Sequence, residues 1–177
     1  NLERHMRNLA IFGVPVTFDI NRYSADTDAE VEVVRAFCEG FGVRAINCTH
    51  WADGGKGTTE LAEHVVELCD SGAAQFRTLY GDDMSLWEKT ATIAREIYGA
   101  EDIIADKKVR EEFAKFEREG YGKYPICMAK TQYSFSTDPN LLGAPSGHHV
   151  QIREIRLAAG AEFVVVVTGA IMTMPGL

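Results

Sequence analysis

Two short apolar runs, Val14–Asn21 and Val43–Cys48, flank a segment with helical periodicity, and this alternation constrains the fold more than any other feature of the chain. Short apolar strands separated by helices of about ten to fifteen residues indicate a parallel sheet covered on both faces, with right-handed crossovers. Pro15 fits only near the start of the first strand, because proline donates no ladder hydrogen bond. Between the strands, Asp26 or Thr27 is placed to cap a helix. Glu30 follows Thr27 at capping-box spacing, and Val31, Val33, Val34, Phe37 and Cys38 supply a buried face that closes near Gly40 or Gly42. Upstream, Leu2, Met6, Leu9 and Phe12 recur at helical spacing until Gly13. Downstream, a loop from Thr49 to Gly57 enters a helix from about Thr58 to Leu68. Ligands of such sheets bind beyond the strand C-termini, which selects the loops after Asn21 and after Cys48.

The later chain reads differently. Leu86, Trp87, Thr90, Ile93, Ala94, Ile97 and Tyr98 form a helical pattern that Asp82, Asp83 or Ser85 can cap and Gly99 ends. A charged helix from about Lys107 to Glu119 has an apolar edge through Val109, Phe113 and Phe116, so this region is expected to be a helical lobe. Strand signals return at Tyr124–Lys130, at Val150–Leu157, whose alternation indicates one exposed face, and at Phe163–Thr168, whose composition indicates full burial. The expected fold class is α/β, a mostly parallel sheet with flanking helices, followed by a smaller α+β portion.

Charge and length remove several function classes. Eighteen Lys+Arg against 26 Asp+Glu give a net charge of -8, so no basic face is expected for a nucleic acid backbone. The longest purely apolar stretch, Phe163–Val167, is far short of the roughly 20 residues of a membrane helix, and no basic-then-apolar leader opens the chain. A membrane partner is not expected, and a cytoplasmic location is. The 177 residues permit one domain or two. Cys38, Cys48, Cys69 and Cys127 lie far apart in or beside apolar stretches and read as buried free thiols in a reducing compartment. The chain opens on Asn1 and closes with Met174–Leu177 as a strand end entering a turn, so both ends are expected to be cuts.

Neither G-x-x-x-x-G-K-[ST] nor G-x-G-x-x-G occurs, so a complete nucleotide site is not expected. Gly54, Gly55, Lys56 and Gly57, running into Thr58, have the ingredients of a small anion nest at a helix N-terminus; an ordinary strand-to-helix loop would look the same. Trp51 is a large aromatic in a polar, glycine-bordered loop, and Tyr23 holds the equivalent loop of the preceding strand. Two aromatics at neighbouring strand ends can stack on a planar heterocycle or pack locally, and both readings stand. Asp26 and Asp28 lie close to Tyr23, where a carboxylate could accept from the N–H groups of a heterocycle, although capping accounts for at least one of them. His50 is a candidate base or a hydrogen-bonded loop residue. Lys130–Ser136 could place an ammonium and hydroxyls at the site edge, or be a solvated loop. His148 and His149 lack the spacing and acidic partners of a metal site, and none is expected.

From Asn21 to Glu30 the chain resembles the formate–tetrahydrofolate ligases, and the likeness is colinear from end to end. It runs through Asn1–His5, Phe12–Pro15, His50–Gly57, Trp87–Lys89, Ile97–Ala100, Met128–Ser134 and Gly169–Leu177. The resemblance implies an ATP-driven ligase that forms formyl phosphate from formate, then lets tetrahydrofolate capture the formyl group as 10-formyltetrahydrofolate with release of ADP and phosphate. It implies Mg2+ with the ATP, a P-loop NTPase-like large domain ending near residue 80, a smaller portion over 81–177, a phosphate loop upstream, a further stretch beyond Leu177, and a homo-oligomeric parent. The pterin-stacking aromatics fall on Tyr23, where many members have Phe, and on Trp51; Gly54, Gly55 and Lys56 shape the adjoining loop. No catalytic residue is assigned within the segment, and without the phosphate loop the isolated 177 residues are expected to be inactive. The alternatives are a non-catalytic α/β binding or scaffold domain and, less favoured, a different ATP-dependent ligase; the first is separated from the ligase by whether Tyr23 and Trp51 line one pocket.

Overall fold

The structure, a computed structural model, describes residues 1–129 and 135–169. The chain divides into two compact units, one of residues 9–77 and one of residues 1–8 with the chain from 78 onward.

The first unit is built on the βαβ segment. Strand β1 (Thr17–Asn21) pairs in parallel with β2 (Arg44–Cys48), in a register that places Ile20 beside Asn47 and Asn21 beside Cys48. β1 is shorter than its apolar run because the ladder begins only after Pro15, at Thr17 opposite Arg44. Helix α2 (Asp28–Gly40) starts at a full capping box: the Glu30 N–H donates to Thr27 Oγ1, and Thr27 N–H and hydroxyl donate to Glu30 Oε2. Those bonds, the backbone one foremost, hold the Glu30 carboxyl below its ordinary range. Val31 and Cys38 are buried on this helix, but Val33 is 71% exposed and Phe37 is also exposed, so its apolar stripe is wider than the face it buries.

After β2 come one turn of helix, α3 (His50–Asp53), a 3-10 segment (Gly54–Thr58) and α4 (Thr59–Asp70). Arg44 fastens α4 to the sheet, with Nη2 donating to Glu60 at 2.9 Å and Nη1 lying 3.8 Å from Glu67. Returning backbone closes the unit, with Gln75 N–H donating to Gly13 O and Arg77 N–H to Phe12 O. Gly13, just past the helix of residues 2–11, has φ +69, and a Cβ there would meet Gln75 O at 2.2 Å, so the position requires glycine.

The second unit holds a four-stranded sheet in the order β3-β5-β6-β4, with β3 (Asp102–Ala105), β4 (Ile126–Ala129), β5 (His149–Ala158) and β6 (Phe163–Thr168). β3 lies parallel to β5 and β4 parallel to β6, while β5 and β6 are antiparallel. β3 adds a strand within the region expected to be a helical lobe. β6 is buried at alternate residues, Val164, Val166 and Thr168, rather than throughout. Helix α5 (Leu86–Glu96) is capped by Ser85, and α6 (Lys107–Phe116) by Asp106; α6 ends in one wider turn at Gly120, φ +94. The core joins Leu86, Ile93, Ala94, Ile103, Phe113, Val150, Ile152 and Val164. α1 (Leu2–Ile11) contributes buried Met6 to this unit, and its Asn8 Nδ2 donates to Ile97 O at 2.8 Å.

Cys38 and Cys48 are buried as expected, but Cys69 and Cys127 are exposed; all four are free. Both exceptions stand on elements that bury none of their residues, Cys69 near the end of α4 and Cys127 within β4. Among the described residues no helix is long and apolar enough to cross a membrane.

Candidate functional site

Because β1 and β2 run in parallel and in register, their C-terminal loops leave the sheet side by side. One further bond, Arg22 N–H to Cys48 O at 3.0 Å, carries the pairing past the last strand residue. The Tyr23 and Trp51 rings then come together, with centroids 6.0 Å apart and planes inclined at 55°. Tyr23 is 48% exposed and Trp51 68% exposed, so this pair packs on itself and faces solvent rather than filling a core. A planar molecule inserted between two parallel rings needs roughly 7 Å between their centroids, about two van der Waals contacts of about 3.5 Å each. One ring must therefore swing to make a sandwich, and their exposure leaves room for it.

The Tyr23 backbone is fixed from both sides. Its N–H donates to Asp26 Oδ2 at 2.8 Å, and Asp26 N–H donates to Tyr23 O at 3.1 Å. Asp28 accepts from Arg22 Nη2 at 2.6 Å. Both carboxylates that the sequence offered for a heterocycle thus already hold this loop in shape, and Thr27 rather than Asp26 caps α2. The Tyr23 hydroxyl accepts from Asn21 Nδ2 at 3.3 Å.

Trp51 stands on α3, a four-residue turn that buries none of its side chains. Gly54 closes that turn: its N–H donates to His50 O at φ +60, ψ -147, a conformation that only glycine takes readily. The following 3-10 turn is held by Thr58 Oγ1 donating to Gly55 O at 3.0 Å and Thr59 Oγ1 donating to Lys56 O at 3.1 Å. Gly54, Gly55 and Lys56 are exposed, and a Cβ at Gly54 or Gly55 would meet nothing within 4 Å. Lys56 is exposed in the 3-10 segment that follows Trp51's turn. His50 is exposed as well.

Two residues of this neighbourhood are not evident in the sequence. Gly57 packs its bare α-carbon on the Thr49–His50 peptide, and Thr49 N–H donates to Gly57 O at 3.1 Å. Its only sequence signal is a place at the end of a glycine cluster. Asp19 interacts with the buried Cys48 thiol; burial first, and this carboxylate second, push that thiol up to about 11, which disfavours its thiolate.

Elsewhere, Lys130–Ser134 lie outside the described residues, while Phe135 and Ser136 are buried in the second unit. His148 is tied to Phe135 O through Nε2 at 3.0 Å. Among the described residues no group of three His, Cys, Asp or Glu side chains is arranged to hold a metal ion.

A sequence model of the formate–tetrahydrofolate ligase family matches residues 1–177. Formate–tetrahydrofolate ligases of Rhizobium etli, Granulibacter bethesdensis and Pelagibacter ubique are respectively 59%, 56% and 55% identical to the chain over all 177 residues. Those residues cover 32%, 31% and 32% of the three proteins, so the chain spans about a third of the length of the curated relatives it matches. With a match that runs through every segment of both units, the chain belongs to the formate–tetrahydrofolate ligase family.

Proposed function

We propose that this segment supplies the tetrahydrofolate-binding part of an enzyme that joins formate to tetrahydrofolate at the expense of ATP, with formyl phosphate as the intermediate. The observation that supports the reading is the meeting of Tyr23 and Trp51 at the C-terminal edge of a parallel sheet, both exposed. Exposed paired aromatics followed by an exposed lysine suit a flat, partly anionic ligand better than they suit packing. Tyr23 and Trp51 would hold the pterin, and Gly54, Gly55 and Lys56 would shape the adjoining loop. The chain has no phosphate-loop motif, and its described residues hold no group of three His, Cys, Asp or Glu side chains arranged for a metal ion, so in this reading ATP and Mg2+ would be bound by other residues of the ligase. In the same reading, residues 1–80 end a large P-loop NTPase-like nucleotide and folate domain and 81–177 begin a smaller one, within a cytoplasmic homo-oligomer.

Activating formate as a mixed anhydride turns a poor leaving group, oxide, into a good one, phosphate; the bound folate amine then captures the formyl carbon. The clamp's task is to hold that amine in place, which converts a bimolecular capture into an effectively intramolecular one and lets it outrun water. The test is Trp51→Ala in a full-length ligase that carries these residues. Its tetrahydrofolate KM and affinity should weaken about tenfold or more, with ATP binding within about twofold. Unchanged folate binding would refute the reading.

A further inference from the structure

Trp51 stands on a turn that packs no side chain into a core. α3 is four residues long, carries no side-chain cap and buries none of its side chains. Bonds between Thr49 and Asp53 hold it, together with a contact six residues downstream of Trp51. Thr49, which precedes the turn, donates its N–H to Gly57 O at 3.1 Å and its hydroxyl to Asp53 Oδ2 at 2.7 Å, while Asp53 N–H returns to Thr49 O at 2.9 Å. The contact is closest where Gly57 lacks a side chain. A Cβ there would stand 2.5 Å from the Thr49 carbonyl carbon, 2.6 Å from His50 N and 2.8 Å from Thr49 Oγ1. Two of these three are backbone atoms, which cannot turn aside as a flexible side chain would.

We propose that Gly57 is a positioning residue for the folate clamp: its bare α-carbon lets the 49–57 loop close on itself and so fixes where Trp51 stands relative to Tyr23. The inference rests on the clamp reading given above. Its requirement is for space rather than backbone conformation, since the φ of Gly57 is not among the positive ones of this chain. Ordinary contact begins near 3.4 Å, so a methyl group at 57 must open the loop by about 1 Å. That displacement is passed to the Thr49–His50 peptide, directly ahead of Trp51. Misplacement on the order of 1 Å can cost as much as on the order of 100-fold when it reaches a group that orients a substrate.

The experiment compares Gly57→Ala with Trp51→Ala in a full-length ligase carrying these residues, reading the KM values for tetrahydrofolate, ATP and formate separately from kcat. Gly57→Ala should raise the tetrahydrofolate KM about tenfold, with the other two KM values and the saturated kcat within about threefold. Thr49→Val, which keeps the shape of the side chain but not the bond to Asp53, should move the same KM in the same direction by about threefold, and serves if Gly57→Ala does not accumulate. If Trp51→Ala weakens folate binding while Gly57→Ala and Thr49→Val do not, the positioning role is wrong and the clamp stands. If Gly57→Ala depresses kcat and all three KM values alike, its role is general folding, and the inference is overturned. If Trp51→Ala itself leaves folate binding intact, the clamp reading fails and this inference falls with it.

Discussion

The Asn21 side chain reaches past the end of β1 to donate to the hydroxyl of Tyr23 at 3.3 Å. This long, solvent-exposed bond engages the hydroxyl and not the faces of the ring, and it separates two contributions of Tyr23. Tyr23→Phe removes the bond and keeps the ring, so folate affinity should change by no more than about threefold, since exposed neutral hydrogen bonds contribute about 0.5 kcal/mol. Tyr23→Ala removes the ring and should weaken folate binding about tenfold or more. Titration of tetrahydrofolate into the two variants of the ligase checks this; equal losses would show that the hydroxyl rather than the ring face makes the contact.

The thiols offer a check on burial. Cys69 and Cys127 are exposed, whereas Cys38 and Cys48 are buried and burial raises both of their thiols, Cys48 to about 11. At pH 8 an alkylating reagent should modify Cys69 and Cys127 within minutes and spare the other two until the chain unfolds, because only the accessible thiolate reacts. Peptide mapping of the labelled protein reads the outcome, and early labelling of Cys48 would contradict its place in the sheet.

These thiols also show which features the sequence could carry. The βαβ core was legible because its signals are local: a switch of period from two to 3.6 and a capping box between Thr27 and Glu30. β3 was not, since Asp102–Ala105 is four residues long and becomes a strand by pairing with β5, more than forty residues later. Periodicity also assigned Val33 and Phe37 to the buried face of α2, but it cannot tell how much of an apolar stripe a neighbour covers. At the site, Tyr23 and Trp51 could be placed at neighbouring strand ends from topology alone. The engagement of Asp26 by Tyr23 N–H and the closeness of Gly57 to Thr49 depend on loop closure, which leaves no periodic trace.

Capping boxes should give the protein an acid-sensitive component of stability. Ser85 caps α5, and hydrogen bonds from its hydroxyl first and its backbone second hold the Glu88 carboxyl below its ordinary range. With the folded value below the unfolded one, the unfolded chain binds more protons; the stabilisation is complete above the unfolded value and lost as pH falls through the folded one. Glu30 and Asp102 are shifted the same way and act in the same direction. Ser85→Ala should cost about 1 kcal/mol at pH 7, and Glu88→Gln should flatten the loss of stability as pH falls through and below the ordinary carboxyl value of 4.5. Urea midpoints across that range test both, and an unchanged slope in Glu88→Gln would remove Glu88 from the account.

Lys89 reverses that sign. Its side chain is fully buried in the second unit, with Nζ donating to Gly122 O at 2.8 Å and Tyr124 O at 3.2 Å and lying 5.9 Å from the centre of the Tyr80 ring. Burial lowers its pKa, and the charges of Asp82, Glu117 and Asp83 oppose the shift only in part. The folded chain therefore releases this proton before the unfolded chain does. Below the folded value the full penalty of a buried ammonium is present, and as pH rises toward the ordinary value of 10.5 the penalty is relieved, so the contribution of Lys89 to stability must increase over that window. Lys89→Met preserves the length of the side chain and abolishes this slope, but it leaves the carbonyls of Gly122 and Tyr124 without their donor, at a cost of about 3 kcal/mol. The difference between wild type and Lys89→Met isolates Lys89 from other groups that titrate there, Tyr98 among them, whose hydroxyl burial pushes up to about 12. Urea unfolding of both proteins between pH 7 and pH 10.5 should show wild type more stable throughout, by a margin that widens with pH. A margin that narrows would mean that Lys89 is charged more readily in the folded state, and that its carbonyl partners and the ring of Tyr80 outweigh the cost of burying it.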